Sequence, residues 1–136
     1  MSTALRKFEY QHIKSYTVEA ASTATVGALA AFGASDTTVA DAAGGSDGGI
    51  GVFLTGGTAG ERVDIALFSG VVAVLVGAGG ATRGSKSVNI GGAFQDAPAQ
   101  AAGGATADPI YGIFMQSGVA GDVVGMQLLA SNRVSA

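Results

Sequence analysis

An eighteen-residue phrase occurs twice in this chain, 61 positions apart and without a gap. Residues 50–67, Ile-Gly-Val-Phe-Leu-Thr-Gly-Gly-Thr-Ala-Gly-Glu-Arg-Val-Asp-Ile-Ala-Leu, align on residues 111–128, Tyr-Gly-Ile-Phe-Met-Gln-Ser-Gly-Val-Ala-Gly-Asp-Val-Val-Gly-Met-Gln-Leu. Gly51, Phe53, Gly57, Ala59, Gly60, Val63 and Leu67 are identical in both copies, and Glu61 keeps its class as Asp122. A repeat constrains architecture before any local propensity does. Two copies of this length imply one pseudo-symmetric domain built from a doubled unit. Weaker matches upstream, Ala30-Ala31-Phe32 with Gly92-Ala93-Phe94 and Ala42-Ala43-Gly44-Gly45 with Ala101-Ala102-Gly103-Gly104, extend the units to about 22–68 and 83–129.

Each copy reads as strand, turn, strand. Val52-Phe53-Leu54 and Ile113-Phe114-Met115 are short apolar runs, as buried strands show, while Val63, Ile65 and Leu67 alternate with Arg62, Asp64 and Ala66 at period two. Between them, Gly56-Gly57 with Ala59-Gly60, and Gly118 with Ala120-Gly121, supply residues that reach positive φ cheaply. Glu61 and Asp122 are expected to leave the turn with their charge in water. The sequence therefore predicts an all-β fold, a small pseudo-symmetric β-barrel or sandwich from two duplicated strand-turn-strand units. Phe53 and Phe114 are expected as equivalent core residues.

Composition narrows the chemistry. The 136 residues include no cysteine and one histidine, His12, so disulfides, thiolate metal sites and cysteine nucleophiles are excluded and histidine chemistry nearly so. No cofactor, metal or catalytic residue is expected. Residues 65–82 are free of charge, long enough to touch the lower limit for a membrane-spanning helix. Glycines break that run, however, and Val71-Val72-Ala73-Val74-Leu75-Val76 has the length and β-branched content of a strand. No membrane span is expected, nor a signal peptide, since the opening residues lack a continuous apolar region of about 7–15 residues.

Residues 1–19 differ from the rest. Through residue 18 they carry Arg6, Lys7 and Lys14 against Glu9, while the remainder is acidic and the whole chain has net charge −3. An acidic body argues against nucleic-acid binding, which needs a basic footprint. Phe8, Tyr10, Tyr16 and Val18 share one parity, as on one face of an extended strand. One expectation is an extra edge strand of the same subunit. The other is an extended N-terminal arm (1–19) reaching a neighbouring chain by strand addition, outside a β domain spanning 20–136; Arg6, Phe8, Tyr10, Lys14 and Tyr16 would carry its contacts.

Several motifs fall short of a site. Gly79-Gly80-Ala81-Thr82-Arg83-Gly84-Ser85-Lys86-Ser87 has Ser85 where a phosphate-binding loop needs its lysine, so turns are expected there. Residues 44–50 resemble a calcium nonapeptide, but such sites need stacked copies. Asp36, Asp41, Asp47, Asp96 and Asp108 read as solvated loop acids, and no Gly-x-Ser-x-Gly elbow occurs.

Ala59-Gly60-Glu61-Arg62-Val63-Asp64-Ile65-Ala66-Leu67, then Ser69-Gly70-Val71-Val72, then Gly112-Ile113-Phe114 and residues 120–128 resemble, in order and spacing, the tailed-bacteriophage capsid cement (decoration) proteins. The middle turn departs from that pattern, with Gly84-Ser85-Lys86-Ser87-Val88 where the family usually carries Gly-Asp before valine. The resemblance implies a non-enzymatic structural protein, made in the host cytoplasm and mounted on the outer capsid surface of the virion. There it would form a homotrimer at three-fold positions, bridge neighbouring copies of the major capsid protein and stabilise the shell against internal DNA pressure. Competing readings are a secreted or surface adhesive β module, which would favour an export signal, and a small-ligand-binding β-barrel, which would need polar groups converging in a pocket.

Overall fold

Apolar alternation and glycine turns place the strands. The computed structural model describes residues 13–42, 49–67, 70–97 and 110–128, and among these it contains strands and turns but no helix. The strands are β1 (Ile13–Val18), β2 (Thr23–Ala24), β3 (Leu29–Phe32), β4 (Thr38–Asp41), β5 (Gly49–Phe53), β6 (Gly57–Thr58), β7 (Arg62–Leu67), β8 (Val71–Leu75), β9 (Lys86–Ile90), β10 (Ala93–Asp96), β11 (Gly112–Phe114) and β12 (Val123–Leu128). The first half closes into a barrel in the order β1-β4-β3-β5-β7, and the second forms a sheet in the order β10-β9-β11-β12-β8. The expected all-β, doubled architecture is the one observed.

The two halves share a hydrogen-bond register as well as a strand order. In the first, Gly51, Val52 and Phe53 oppose Leu67, Ala66 and Ile65; in the second, Gly112, Ile113 and Phe114 oppose Leu128, Gln127 and Met126. Behind each pair, Leu29 and Ala30 of β3 oppose Val52 and Gly51, as Lys86 and Ser87 of β9 oppose Ile113 and Gly112. The turns agree too: Thr58 C=O accepts from Glu61 N–H, and Val119 C=O from Asp122 N–H, each at 3.0 Å. Gly60 (φ 89°) and Gly121 (φ 90°) occupy the third position of these four-residue turns, where type II geometry needs positive φ.

The structural repeat is longer than the sequence repeat. β1 stands to the first half as β8 stands to the second: Thr17, Tyr16 and Ser15 oppose Arg62, Val63 and Asp64, while Leu75, Val74 and Ala73 oppose Val123, Val124 and Gly125. Val18 N–H reaches Glu61 C=O as Val76 N–H reaches Asp122 C=O, both at 2.8 Å. Residues 13–18, placed by sequence in an arm outside the repeat, are therefore the first strand of the first unit. The units run 13–67 and 71–128 rather than about 22–68 and 83–129. β1 is also no edge strand, because it pairs antiparallel with β7 on one side and parallel with β4 on the other.

Inward positions fill each half with matching side chains. Tyr16, Val18, Ala30, Val39, Phe53, Val63 and Ile65 form the first core. Val74, Val76, Phe94, Phe114, Val124 and Met126 lie in the second, where Tyr111 meets Phe94 edge-on at 5.9 Å between ring centroids. Phe53 and Phe114 are 1% and 0% exposed at equivalent positions, as the repeat requires.

The halves differ at the seam. In the first, Thr17 and Val18 pair with Thr38 and Val39, and Thr17 N–H donates directly to Thr37 C=O (2.9 Å), closing the barrel. In the second, β8 has no ladder with β10; the residues that follow it make a bridge from Val76 to Phe94, with Gly77 N–H donating to Phe94 C=O (2.7 Å) and Asp96 N–H to Gly80 C=O (2.8 Å). Here the turn Gly27–Leu29 of the first half enters the gap: Leu75 N–H donates to Gly27 C=O, and Leu29 N–H donates to Gly92 C=O, both at 2.9 Å. Outward side chains of the first barrel, Leu29, Val52 and Ala66, are buried in the second core at this junction. Full burial of Leu29 and Val52 contributes about 1.5–3 kcal/mol each, against about 0.5–1.5 kcal/mol net for each hydrogen bond. Apolar contact holds the halves together; the hydrogen bonds set their register.

Candidate interaction surface

The residues expected to make contacts divide at position 13. Arg6, Phe8 and Tyr10 lie outside the described residues. Lys14 and Tyr16 lie on β1, where Tyr16 points into the first core at 9% exposure and opposes Val63. Strand pairing occupies the β1 backbone toward β7 from Ile13 to Thr17 and toward β4 at Thr17 and Val18, and packing occupies the Tyr16 ring. Tyr16 is thus a core residue of its own subunit and is corrected as a surface contact. Lys14 remains exposed, with its ammonium 5.9 Å from the Tyr16 ring centroid, within reach of a cation–π contact.

The acids act on their own turns. Thr58 N–H and Thr58 Oγ–H both donate to Glu61 Oε1, at 2.7 and 3.0 Å; Val119 N–H donates to Asp122 Oδ2 at 2.9 Å. Sequence left these charges in water, and they are exposed, yet each folds back to cap its turn. The Thr58 donors favour the ionised form and hold the Glu61 carboxyl below the ordinary glutamate range, backbone N–H first and hydroxyl second. Asp96, expected as a solvated loop acid, lies on β10 and accepts Thr82 N–H at 2.8 Å and Thr82 Oγ–H at 2.6 Å. Asp41 ends β4 and accepts from Ser22 Oγ–H at 3.3 Å. Asp47, Asp108 and most of the 44–50 nonapeptide lie outside the described residues. No group of three or more His, Asp or Glu among the described residues is placed to hold a metal.

A depressed pKa gives Glu61 a pH signature. Its contribution is present in full above the ordinary glutamate range and is lost as pH falls through the lowered folded value. The stability difference between wild type and Glu61→Gln, read from urea midpoints, should therefore be larger at neutral pH than in acid, where both side chains are uncharged. A difference that grows on acidification contradicts the turn-capping role.

With the interiors packed, the distinctive chemistry is outside. Exposed large apolar side chains include Val26, Phe32, Ile90, Met115, Val119 and Val123, with Phe32 65% and Val119 68% exposed. Phe32 leads into the β3–β4 turn, where Ala34 N–H donates to Glu19 Oε1 at 2.5 Å. Ile90 leads into the equivalent β9–β10 turn, which Asn89 Oδ1 caps by accepting from Gly92 N–H at 3.0 Å. A shallow cleft at the junction of the halves is lined by Thr23, Thr25, Asp41, Leu75 and Gly92. No helix of the described residues is long and apolar enough to cross a membrane; residues 71–75 of the charge-free run form β8.

This doubled β architecture has a counterpart among solved structures. It is shared with a phage head fiber. The crystal structure of the head fiber gp8.5 N base in bacteriophage phi29 superimposes with a TM-score of 0.62, covering 91% of this chain and 100% of that one at 17% identity. At that identity the likeness is one of fold. No family model and no curated protein matches the chain.

Where sequence reasoning missed surface features, the cause was pairing. Nothing in Ile13-Lys14-Ser15-Tyr16-Thr17-Val18 resembles Val71-Val72-Ala73-Val74-Leu75-Val76 beyond the final valine and the inward parity of Tyr16 and Val74. A search tolerant of polar outward positions is the signal that would have joined them.

Proposed function

We propose that this protein is a non-enzymatic structural component of a phage head, a cement or decoration protein on the outer capsid surface of the virion, made in the host cytoplasm. It binds the major capsid protein as a homotrimer, bridges neighbouring capsomers and stabilises the shell against internal DNA pressure. The observation that carries this reading is the doubled β unit, one half a closed barrel and the other a five-stranded sheet, whose fold matches nearly end to end that of the head fiber base of phage phi29. Surface chemistry supports it: exposed Phe32, Val119 and Val123 suit packing, and Glu61 and Asp122 are engaged in capping their own turns. The ligand-binding alternative loses ground because the space a ligand would take in the first barrel is filled by Phe53, Val63, Ile65 and Tyr16. A homotrimer also makes attachment multivalent, so modest contacts per subunit sum to slow release.

Within this reading, the capsid-binding arm is the segment before β1, carrying Arg6, Phe8 and Tyr10, with Lys14 at its root. Deleting residues 2–12 leaves both repeat units intact. The truncated protein should retain its circular dichroism spectrum while its co-sedimentation with expanded, undecorated heads falls by orders of magnitude, through loss of aromatic anchors and strand pairing. Undiminished binding by a folded truncation removes the arm from the interface, and failure of the full-length protein to bind heads removes the cement reading itself.

A further inference from the structure

The two halves share a fold but not an outer face. On the first barrel, the outward positions of β1 and β7 carry Ser15 opposite Asp64 and Thr17 opposite Arg62, with Ser15 Oγ–H donating to Asp64 Oδ1 at 2.6 Å. The matching positions of β8 and β12 carry Ala73 opposite Gly125 and Leu75 opposite Val123. β8 and β12 contain no charged residue at all. Val123 is 54% exposed, and Met115, beside Gly125, is 44% exposed. A charged face in one copy of the unit is thus an uncharged, largely apolar face in the other, with Gln127 the polar side chain that β12 turns outward, although the strands beneath are the same.

We infer that the outer face of β8 and β12 is where copies of this chain meet one another. Charge favours a second copy as the occupant. Where three copies converge on an axis, charges close to it approach their equivalents or must leave water, which costs binding; the β1–β7 face carries Arg62 and Asp64, whereas the β8–β12 face carries no charge to repel or desolvate. The face also continues an interface already formed, since Leu75 lies on it and donates its N–H to Gly27 across the junction between the halves. Gln127, outward on β12, is an amide that both donates and accepts and can pair with its own copy at the rim. This assignment rests on the homotrimer reading above and names the surface that reading needs.

The first barrel supplies the test. The triple substitution Ala73→Ser, Val123→Arg, Gly125→Asp gives the second half the outer residues that the first carries natively at the same register positions. The fold accommodates them: a Cβ at Gly125 meets its nearest neighbour, Gln116 Oε1, at 3.4 Å, and Gly125 has no positive φ. Sedimentation equilibrium of full-length wild type should show a trimer. The triple variant, with an unchanged circular dichroism spectrum, should dissociate, its dissociation constant raised at least about a hundredfold because an arginine and an aspartate per subunit would have to leave water on association. A second variant, Val123→Arg alone, should show an intermediate shift.

A triple variant that stays trimeric, or a wild type that is monomeric across the accessible concentration range, overturns the assignment. A trimeric triple variant that no longer co-sediments with undecorated heads places the shell on this face and overturns self-association there, leaving the cement reading standing. Conversely, a wild-type trimer that the triple substitution dissociates, but that never binds heads, sustains the interface and removes the cement reading.

Discussion

Phe114→Ala and Phe53→Ala should each lower stability by about 3–5 kcal/mol, the usual cost of removing a fully buried aromatic side chain. Both rings are effectively sealed from solvent and stand at the same register position, opposite Met126 and Ile65. The losses should nevertheless have different reach. Phe53 lies in the core of the barrel that closes on itself, whereas Phe114 shares a core with the junction residues Leu29, Val52 and Ala66. Phe114→Ala should therefore loosen the contact between the halves as well as the second half itself. Urea unfolding gives the stability loss, and amide exchange at Leu75, whose N–H crosses the junction, reads the loosening. A loss well under 2 kcal/mol at either site would mean the cavity collapses or the ring is not buried as described.

The second large effect is expected at Gly27. A Cβ there would approach Leu75 N to 2.7 Å and the Val74 carbonyl carbon to 3.1 Å, both backbone atoms that cannot swing away, and Gly27 also holds φ +85°. Gly84, its counterpart in the second half, holds φ +86° with nothing within 4 Å. Gly84→Ala should thus show only the cost of a left-handed non-glycine residue, roughly 1–2 kcal/mol. Gly27→Ala should show that cost plus the loss of the Leu75–Gly27 and Leu29–Gly92 hydrogen bonds and of part of the apolar junction. The difference between the two substitutions isolates what the inserted turn contributes. Equal losses, measured by urea unfolding, would show that the seam of the second half does not depend on Gly27–Leu29.

Much of this was legible in the chain. The phrase carrying Phe53 and Phe114 located both cores, because a repeated strand-turn-strand unit must bury the same parity each time, and Ala-Gly-acid marked a turn that needs positive φ; that the acid caps the turn's amide was visible only in the structure. The alternation of Val63 and Ile65 with Arg62 and Asp64 separated the inside of the first barrel from its outside, but not the burial of outward Ala66 against the other half. What sequence could not supply was pairing. β1 and β8 occupy one role in the two units, yet their outward residues share no chemistry, and a strand's membership in a barrel is settled by hydrogen bonds to residues far along the chain. The basic, aromatic character of the N-terminal residues suggested an arm; the partners of Tyr16 and Thr17 made its last part a barrel strand.

The asymmetry of the two seams belongs to tertiary structure. Gly27 and Gly84 sit in turns of the same conformation, one pressed against a neighbouring backbone and the other open to solvent, and only the docking of one half on the other distinguishes them. Local sequence determines which residues can turn, extend and face inward, since those preferences act over a few bonds. Which seam closes on itself, which receives an inserted turn and which outer face stays bare are decided by contacts between segments distant in sequence.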